Sequence, residues 1–114
     1  MVKGLTRTSF LRAQRVVPPS ALSLRARSVM LKQGSSMPWH STHNREELII
    51  VLRGHVQLET QPRPQPPADG GAGRIRTTTV RAGQCAFLPS YTVHQIVNRS
   101  RRQARYVYVT APTT

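Results

Sequence analysis

The sequence has little cysteine, little acid and no long apolar run. Its 114 residues include one cysteine and four acidic residues, against 17 lysines and arginines. A single cysteine excludes an internal disulfide framework and a cysteine-based zinc site, so a metal ion would have to be held by histidine and carboxylate. The longest apolar run, residues 48–52, has the length of a strand and is far shorter than the roughly 20 residues of a membrane span. The length fits one domain and excludes a multidomain machine.

The shortage of acid leaves a formal net charge of +13 and a pI near 11.8. Such a charge suggests a polyanion partner. The basic residues are spread along the whole chain, however, with one short cluster at residues 99–105, and aromatic residues do not alternate with them as they do on base-stacking surfaces. We therefore expect no specific nucleic-acid partner, only nonspecific binding that salt abolishes.

From residue 46 onward, β-rich segments alternate with turns. The predicted strands are residues 47–53, 55–59, 75–80, 85–88, 93–97 and 104–110. Gly54, between the first two of these strands, predicts a hairpin. Cys85, beside Ala86 and Phe87 in a strand, predicts a buried, inert thiol. The proline- and glycine-rich run 61–73 fits neither strand nor helix and predicts a flexible surface loop. No segment has helical periodicity, so the fold class is all-β, a small antiparallel barrel or sandwich in a single domain.

The first 32 residues contain seven basic residues and no acidic one. This composition is typical of an organellar transit peptide. The alternation of Leu22, Leu24 and Ala26 with polar and basic residues is instead a strand pattern with one apolar and one basic face. We favour the second interpretation: residues 1–33 form a basic N-terminal segment with strands that pack on a barrel formed by residues 34–114. We accordingly expect a cytoplasmic protein with no membrane partner.

The residues that can carry chemistry fall into two clusters. His40, His43 and Glu47 form the first, and His94 belongs to the second. Neutral imidazoles with one carboxylate suit Fe, Mn, Ni, Cu or Zn, and a set of two histidines and one carboxylate leaves coordination positions open for catalysis.

Side chains two residues apart on a strand share a face. If Glu47 faces a barrel interior, Ile49 and Val51 form an apolar wall deeper inside. By the same rule Ile96 lies on the same face as His94. The predicted substrate-pocket residues are Trp39, Ile49, Val51 and Ile96.

These clusters have the spacing of two motifs of the cupin family, which the sequence resembles over residues 34–110. The first motif runs Gly, five residues, His-x-His, three or four residues, Glu, six residues, Gly, and the matching positions are Gly34, His40, Glu47 and Gly54. The second runs Gly, five residues, Pro-x-Gly, two residues, His, three residues, Asn, and the matching positions are Gly83, Pro89, His94 and Asn98.

The resemblance implies a small antiparallel β-barrel or jelly roll, usually a homodimer, with a divalent transition metal (Fe, Mn, Ni, Cu or Zn) inside. The implied metal ligands are His40, His43, Glu47 and His94, and no catalytic residue is assigned beyond them. The implied chemistry is that of a metal-dependent dioxygenase or isomerase acting on a small organic substrate. The alternative is a non-catalytic barrel that binds or senses a small anion, which the charge of +13 favours.

Two positions depart from the motifs. The second histidine of His-x-His falls on Thr42, and His43 follows it. Either a bulge between His40 and His43 turns His43 inward, or the site consists of the other three residues; we expect the bulge. Tyr91 replaces the glycine of Pro-x-Gly, and because a bulky residue is disfavoured at positive φ, we expect a turn different from the family's usual one.

Overall fold

The computed structural model describes residues 4–61 and 74–113. In this part of the chain all regular structure is β, with no helix. The strands are β1 (Gln14–Arg15), β2 (Arg25–Leu31), β3 (Ser36–Ser41), β4 (Arg45–Arg53), β5 (His55–Gln61), β6 (Arg76–Arg81), β7 (Cys85–Leu88), β8 (Val93–Val97) and β9 (Ala104–Pro112). No helix in these ranges is therefore available to cross a membrane.

The strands form two antiparallel sheets. One has the order β1-β2-β9-β4-β7 and the other the order β3-β8-β5-β6. The prediction of an all-β antiparallel barrel is thereby confirmed. The strand β2 pairs with β9 along its whole length, so residues 25–31 are part of a sheet rather than an addition to it. The predicted loop 61–73 lies outside the described residues except for Gln61, which ends β5.

The core lies between the two inner sheet faces. On β4, the alternating residues Glu47, Ile49 and Val51 are buried, as the period of two predicts. Burying one such aliphatic side chain contributes about 1.5–3 kcal/mol relative to leaving it exposed. The core side chains from the two sheets are Leu31, Ile49, Val51, Val56, Leu58, Val80, Leu88, Ile96, Ala104 and Tyr106.

Gly54 does not form the predicted hairpin. The strand before it pairs with β7 and β9, whereas the strand after it pairs with β6 and β8 in the other sheet. Gly54 has φ 71°, and a Cβ there would lie 3.0 Å from the carbonyl oxygen of Gln103. The glycine therefore permits a close backbone approach where the chain passes from one sheet to the other. A glycine at a strand end is equally typical of a hairpin turn, so the sequence alone does not distinguish the two.

Three further expectations differ from the structure. Leu22 is exposed and precedes the strand, which begins at Arg25. Cys85 is exposed, so the expectation of a buried thiol is wrong: its side chain is on the outer face of an edge strand. The strand β3 was not predicted, because a segment with Pro38 and no β-branched residue lacks the usual strand composition.

Candidate metal centre

Three side chains converge between the sheets. His40 on β3 is directly opposite His94 on β8, and Glu47 reaches them from β4 in the facing sheet. Each offers one donor atom, and the three atoms lie within 4.8 Å of one another. Glu47 and His94 are buried and His40 is exposed, so the cluster lies at the margin of the apolar core.

A β-bulge directs His40 into this space. The register shifts between Met37, which is opposite Ile96, and His40, which is opposite His94. Three steps on β3 thus match two on β8, so Met37 and His40 share the inner face although they are three residues apart. The bulge lies before His40, and the expected position between His40 and His43 is wrong.

Hydrogen bonds from Nδ1 leave the Nε2 of both histidines available to a metal ion. The Nδ1 of His40 lies 2.7 Å from the carbonyl oxygen of Pro38, and the Nδ1 of His94 lies 3.1 Å from that of Thr92. A carbonyl oxygen only accepts, so each Nδ1 donates its hydrogen and each neutral ring keeps a lone pair on Nε2. Such bonds to backbone carbonyls fix the tautomer and ring orientation of metal-binding histidines.

His94 and Glu47 form the buried part of the cluster. His94 is completely buried and Glu47 is 7% exposed, and the Nε2 of His94 has no hydrogen-bond partner in the described part of the chain. The Oε2 atom of Glu47 lies 3.4 Å from it. Two lone-pair atoms facing each other away from water are unfavourable unless a proton or a metal ion lies between them.

The donor chemistry fits a divalent transition metal. Two imidazole nitrogens and one carboxylate suit Fe, Mn, Ni, Cu or Zn. The donor atoms lie within 4.8 Å of one another, and bonds of about 2.0–2.2 Å to one ion need separations of at most about 4.4 Å, so side-chain shifts of a few tenths of an ångström let one ion contact all three. The residues therefore fit the group that the family resemblance implies.

The cluster opens into a cavity of about 740 Å³, within the range of roughly 300–1,000 Å³ that is usual for small-molecule sites. Met37, Ile96 and Tyr108 contribute apolar wall surface. Among the described lining residues, Glu47 is the only acid, and the arginines are Arg15, Arg25, Arg27 and Arg45. The cavity is therefore strongly cationic apart from the carboxylate at the cluster.

Tyr106 is a second buried polar group without a partner. Its side chain is completely buried, lines the same cavity, and its hydroxyl has no hydrogen-bond partner among the described residues. Burial, reinforced by Glu47 and Tyr108, raises the pKa of the phenol, so it stays a hydrogen-bond donor at neutral pH. Sequence analysis missed it, although the alternation along residues 106–110 was a signal for a common face.

Thr42 has a structural role at the position where the motif has its second histidine. It is buried; its Oγ1 donates to the carbonyl oxygen of Pro89 at 2.8 Å and accepts from the N–H of Thr92 at 2.9 Å. These bonds tie the end of β3 to the turn before β8. A threonine hydroxyl can make both bonds because it is donor and acceptor at once.

His43 lies at the cavity wall but outside the cluster. It is exposed, has φ 53°, and its carbonyl accepts the N–H of Tyr91 at 2.7 Å. Its role as a fourth ligand stays a prediction. Tyr91 itself has φ 57°, so the expectation that it avoids positive φ is wrong; the bond to His43 supports a conformation that glycine adopts more readily.

The predicted pocket residues occupy different places. Ile96 lines the cavity, whereas Ile49 and Val51 are completely buried in the core beneath it. Trp39 lies in the bulge and is 37% exposed. Their contact with a substrate stays a prediction.

Comparisons with known proteins agree with the fold. Residues 27–110 match the family described as Cupin domain, and no curated protein sequence matches the chain. An oxalate oxidase in complex with the substrate analogue glycolate has a TM-score of 0.67 and 20% identity, covering 81% of this chain and 43% of its own. The chain thus spans less than half the length of that protein.

Two further solved structures share the fold. The cupin domain of Schizosaccharomyces pombe Cnp3 has a TM-score of 0.69 and 14% identity, covering 88% of this chain and 59% of that one. A Cupin 2 conserved barrel domain protein from Salinispora arenicola has a TM-score of 0.67 and 25% identity, covering 90% of this chain and 76% of that one. With the match over most of its residues, the chain belongs to the cupin domain family.

Proposed function

We propose that this cupin holds one divalent transition metal through His40, Glu47 and His94 and acts on a small organic substrate in the adjoining cavity. The observation that carries the proposal is the Nε2 of His94, which is buried without a hydrogen-bond partner and faces the carboxylate of Glu47 at 3.4 Å. A buried pair in this arrangement is costly to the fold unless it binds a cation. Ligand binding explains why these groups are buried.

The proposed reaction class is oxygenation or isomerisation. A bound ion would polarise a substrate oxygen as a Lewis acid or provide an open position for dioxygen. The backbone carbonyls of Pro38 and Thr92 orient the two imidazoles. The hydroxyl of Tyr106 is free to donate a hydrogen bond to a substrate oxygen, while Met37 and Ile96 exclude water from the inner wall.

A second candidate is non-catalytic binding of a small anion. It is favoured by the arginines of the cavity, which outnumber its one described acidic residue. Metal binding without turnover of any substrate would support it.

The homodimer implied by the family resemblance and the cytoplasmic location both stay proposals. Size-exclusion chromatography with light scattering measures the first, and a tagged chain in its native cell measures the second.

The test combines metal analysis with an activity screen. Anaerobically purified protein is loaded separately with Fe(II), Mn(II) and Zn(II), and metal per chain, oxygen uptake and NMR spectra of small carboxylic acids and phenols are recorded. We expect about one ion per chain and turnover that requires it. Glu47→Gln removes a proposed ligand, and His55→Ala is the matched control because His55 is outside both the cluster and the cavity lining. Failure of every metal to bind the wild-type protein would overturn the proposal.

A further inference from the structure

We propose that Arg25, Arg27 and Arg45 form an anion-recognition site at the mouth of the cavity and that the substrate is a small organic carboxylate. This inference rests on the proposed function, which makes the ligand of the cavity a substrate, and it adds that this substrate is a carboxylate. These three residues are called the mouth arginines below.

Sheet register places the mouth arginines on the same face as the metal centre. Arg25 is directly opposite Thr110, which is directly opposite Glu47. Directly opposed residues of neighbouring strands share a face of the sheet. Two strand spacings of about 4.8 Å therefore separate the backbones of Arg25 and Glu47 across one face.

The other two arginines extend this arrangement. Arg27 is opposite Tyr108, which is opposite Ile49, so Arg27 also projects from the inner face. Arg45 precedes Glu47 by two residues on β4 and shares its face. All three mouth arginines line the cavity. The basic face of the alternating N-terminal segment is thus the cavity face.

Neutral groups hold the guanidinium of Arg45 in place. Its Nε donates to Oγ1 of Thr110 at 2.9 Å, and a terminal nitrogen donates to the carbonyl oxygens of Thr110, at 3.1 Å, and of Ser23. Burial and the nearby charge of Arg25 lower the pKa of Arg45, consistent with two cations held close together. The guanidinium is therefore ordered before a ligand arrives.

No carboxylate neutralises these cations in the described ranges. The ion pair between permanently charged groups there joins Arg99 to Glu59, far from the mouth arginines in sequence and on the other sheet. Like charges held together at a concave surface repel, and a bound anion relieves that repulsion. Arginine is also the side chain whose planar donors match a carboxylate in pairs.

The charge distribution also orients the ligand. In the metal-loaded protein the carboxylate of Glu47 partly neutralises the dication, whereas the three mouth arginines keep their full positive charge, so the carboxylate of a ligand is held at the mouth. The rest of the ligand then points inward, toward the hydroxyl of Tyr106 and the metal centre. A cavity of about 740 Å³ admits a small molecule, which distinguishes this site from a surface for a nucleic acid.

The test compares matched ligands on matched variants. Isothermal titration of zinc-loaded protein measures binding of succinate and benzoate against their neutral amides, with inorganic phosphate as a further probe. The variant R25Q/R27Q removes two mouth arginines that make no side-chain hydrogen bond in the described structure. The control R76Q/R81Q removes the same charge from exposed positions on β6. Melting temperature and zinc content are measured for each protein.

We expect at least one carboxylate to bind more tightly than its amide, R25Q/R27Q to weaken it by about tenfold or more, and R76Q/R81Q to leave it unchanged. The inference is overturned if no carboxylate binds better than its amide, if the two double variants behave alike, or if phosphate binds as tightly as the carboxylates with the same dependence on Arg25 and Arg27. Zinc content separates the two proposals. Normal zinc without selective anion binding contradicts only this inference, and arginine-dependent carboxylate binding without zinc contradicts only the proposed metal site.

Discussion

His94 and Asn98 lie on one face of the same chain segment, four residues apart, and both are completely buried. Asn98 uses all of its hydrogen-bonding capacity: Nδ2 donates to the carbonyls of Leu31 at 2.9 Å and Arg102 at 2.7 Å, and Oδ1 accepts from the N–H and hydroxyl of Ser100 at 3.0 and 2.6 Å. Among the described residues, the side chain of His94 makes a hydrogen bond through Nδ1 and none through Nε2. Hydrogen bonds within the fold offset the desolvation cost of burying Asn98. The cost of burying the Nε2 of His94 is offset when a metal ion binds.

The same contrast separates two glutamates. Glu59, on the outer face of its sheet, accepts hydrogen bonds from Gln95 at 2.6 Å, Arg99 at 3.0 Å and Thr77 at 3.2 Å. Glu47 instead lies 3.4 Å from the Nε2 of His94 and shares the cluster with His40. The barrel thus has one set of buried polar groups that stabilises the fold and another that is available to bind a ligand. Substitutions in the first set should change stability, and substitutions in the second should change ligand binding.

The largest effect is expected at the metal centre. His94→Ala or His40→Ala should weaken metal binding by about 1,000-fold, or about 4 kcal/mol, because loss of a residue that merely orients a ligand already costs about 10–100-fold. Equilibrium dialysis against Zn²⁺ with a competing chelator measures this. His43→Ala should retain wild-type affinity because His43 lies outside the cluster; a loss as large as that of His40→Ala would make His43 the fourth ligand.

Asn98→Ala should lower the free energy of unfolding by about 3 kcal/mol, since it removes four hydrogen bonds and leaves buried carbonyls without donors. Urea unfolding of the metal-free protein measures the change. His94→Ala is the matched comparison and should destabilise less. If His94→Ala destabilised the metal-free protein as much as Asn98→Ala does, the contrast between the two residues would fail.

Tyr106→Phe should leave the free energy of unfolding unchanged or raise it by up to about 1 kcal/mol, because it removes a buried hydroxyl without a partner. The same variant should weaken carboxylate binding or turnover in the metal-loaded protein. Urea unfolding and the titrations described above measure the two effects. A loss of stability would show that the hydroxyl has a partner in the fold.

The smallest effect is expected for Glu59→Gln. The hydrogen bond from Arg99 lowers the pKa of Glu59, so its stabilising contribution is present above the pKa of the unfolded chain, about 4.3, and is lost as pH falls through the lower folded value. We expect a loss below about 1 kcal/mol at neutral pH, since Arg99 is exposed. Unfolding of both proteins at about pH 7 and pH 3 should show a smaller difference at the lower pH.

Local spacing predicted much of the fold and of the metal centre. The motif intervals selected His40, Glu47 and His94, which the fold brings together, and alternation placed Ile49, Val51 and Ile96 on inner faces. These are properties of single strands, in which the period of two determines the face.

Properties that depend on pairing between distant strands could not be predicted. Gly54 separates two strands in either a hairpin or a crossing, and only the partners of β4 and β5 decide between them. The bulge before His40 is defined by its register with β8. The alternation around Arg25 and Arg27 indicates a basic face, but β9 and β4 determine that this face is the cavity wall.

The most direct test of the metal centre is anomalous diffraction from crystals grown with Zn²⁺. We expect one strong peak per chain between the sheets, about 2.0–2.2 Å from Nε2 of His40, Nε2 of His94 and a carboxylate oxygen of Glu47. A well-diffracting crystal grown with Zn²⁺ that shows no peak there, or shows zinc only at the exposed His43 or at His55, would contradict the proposed metal centre.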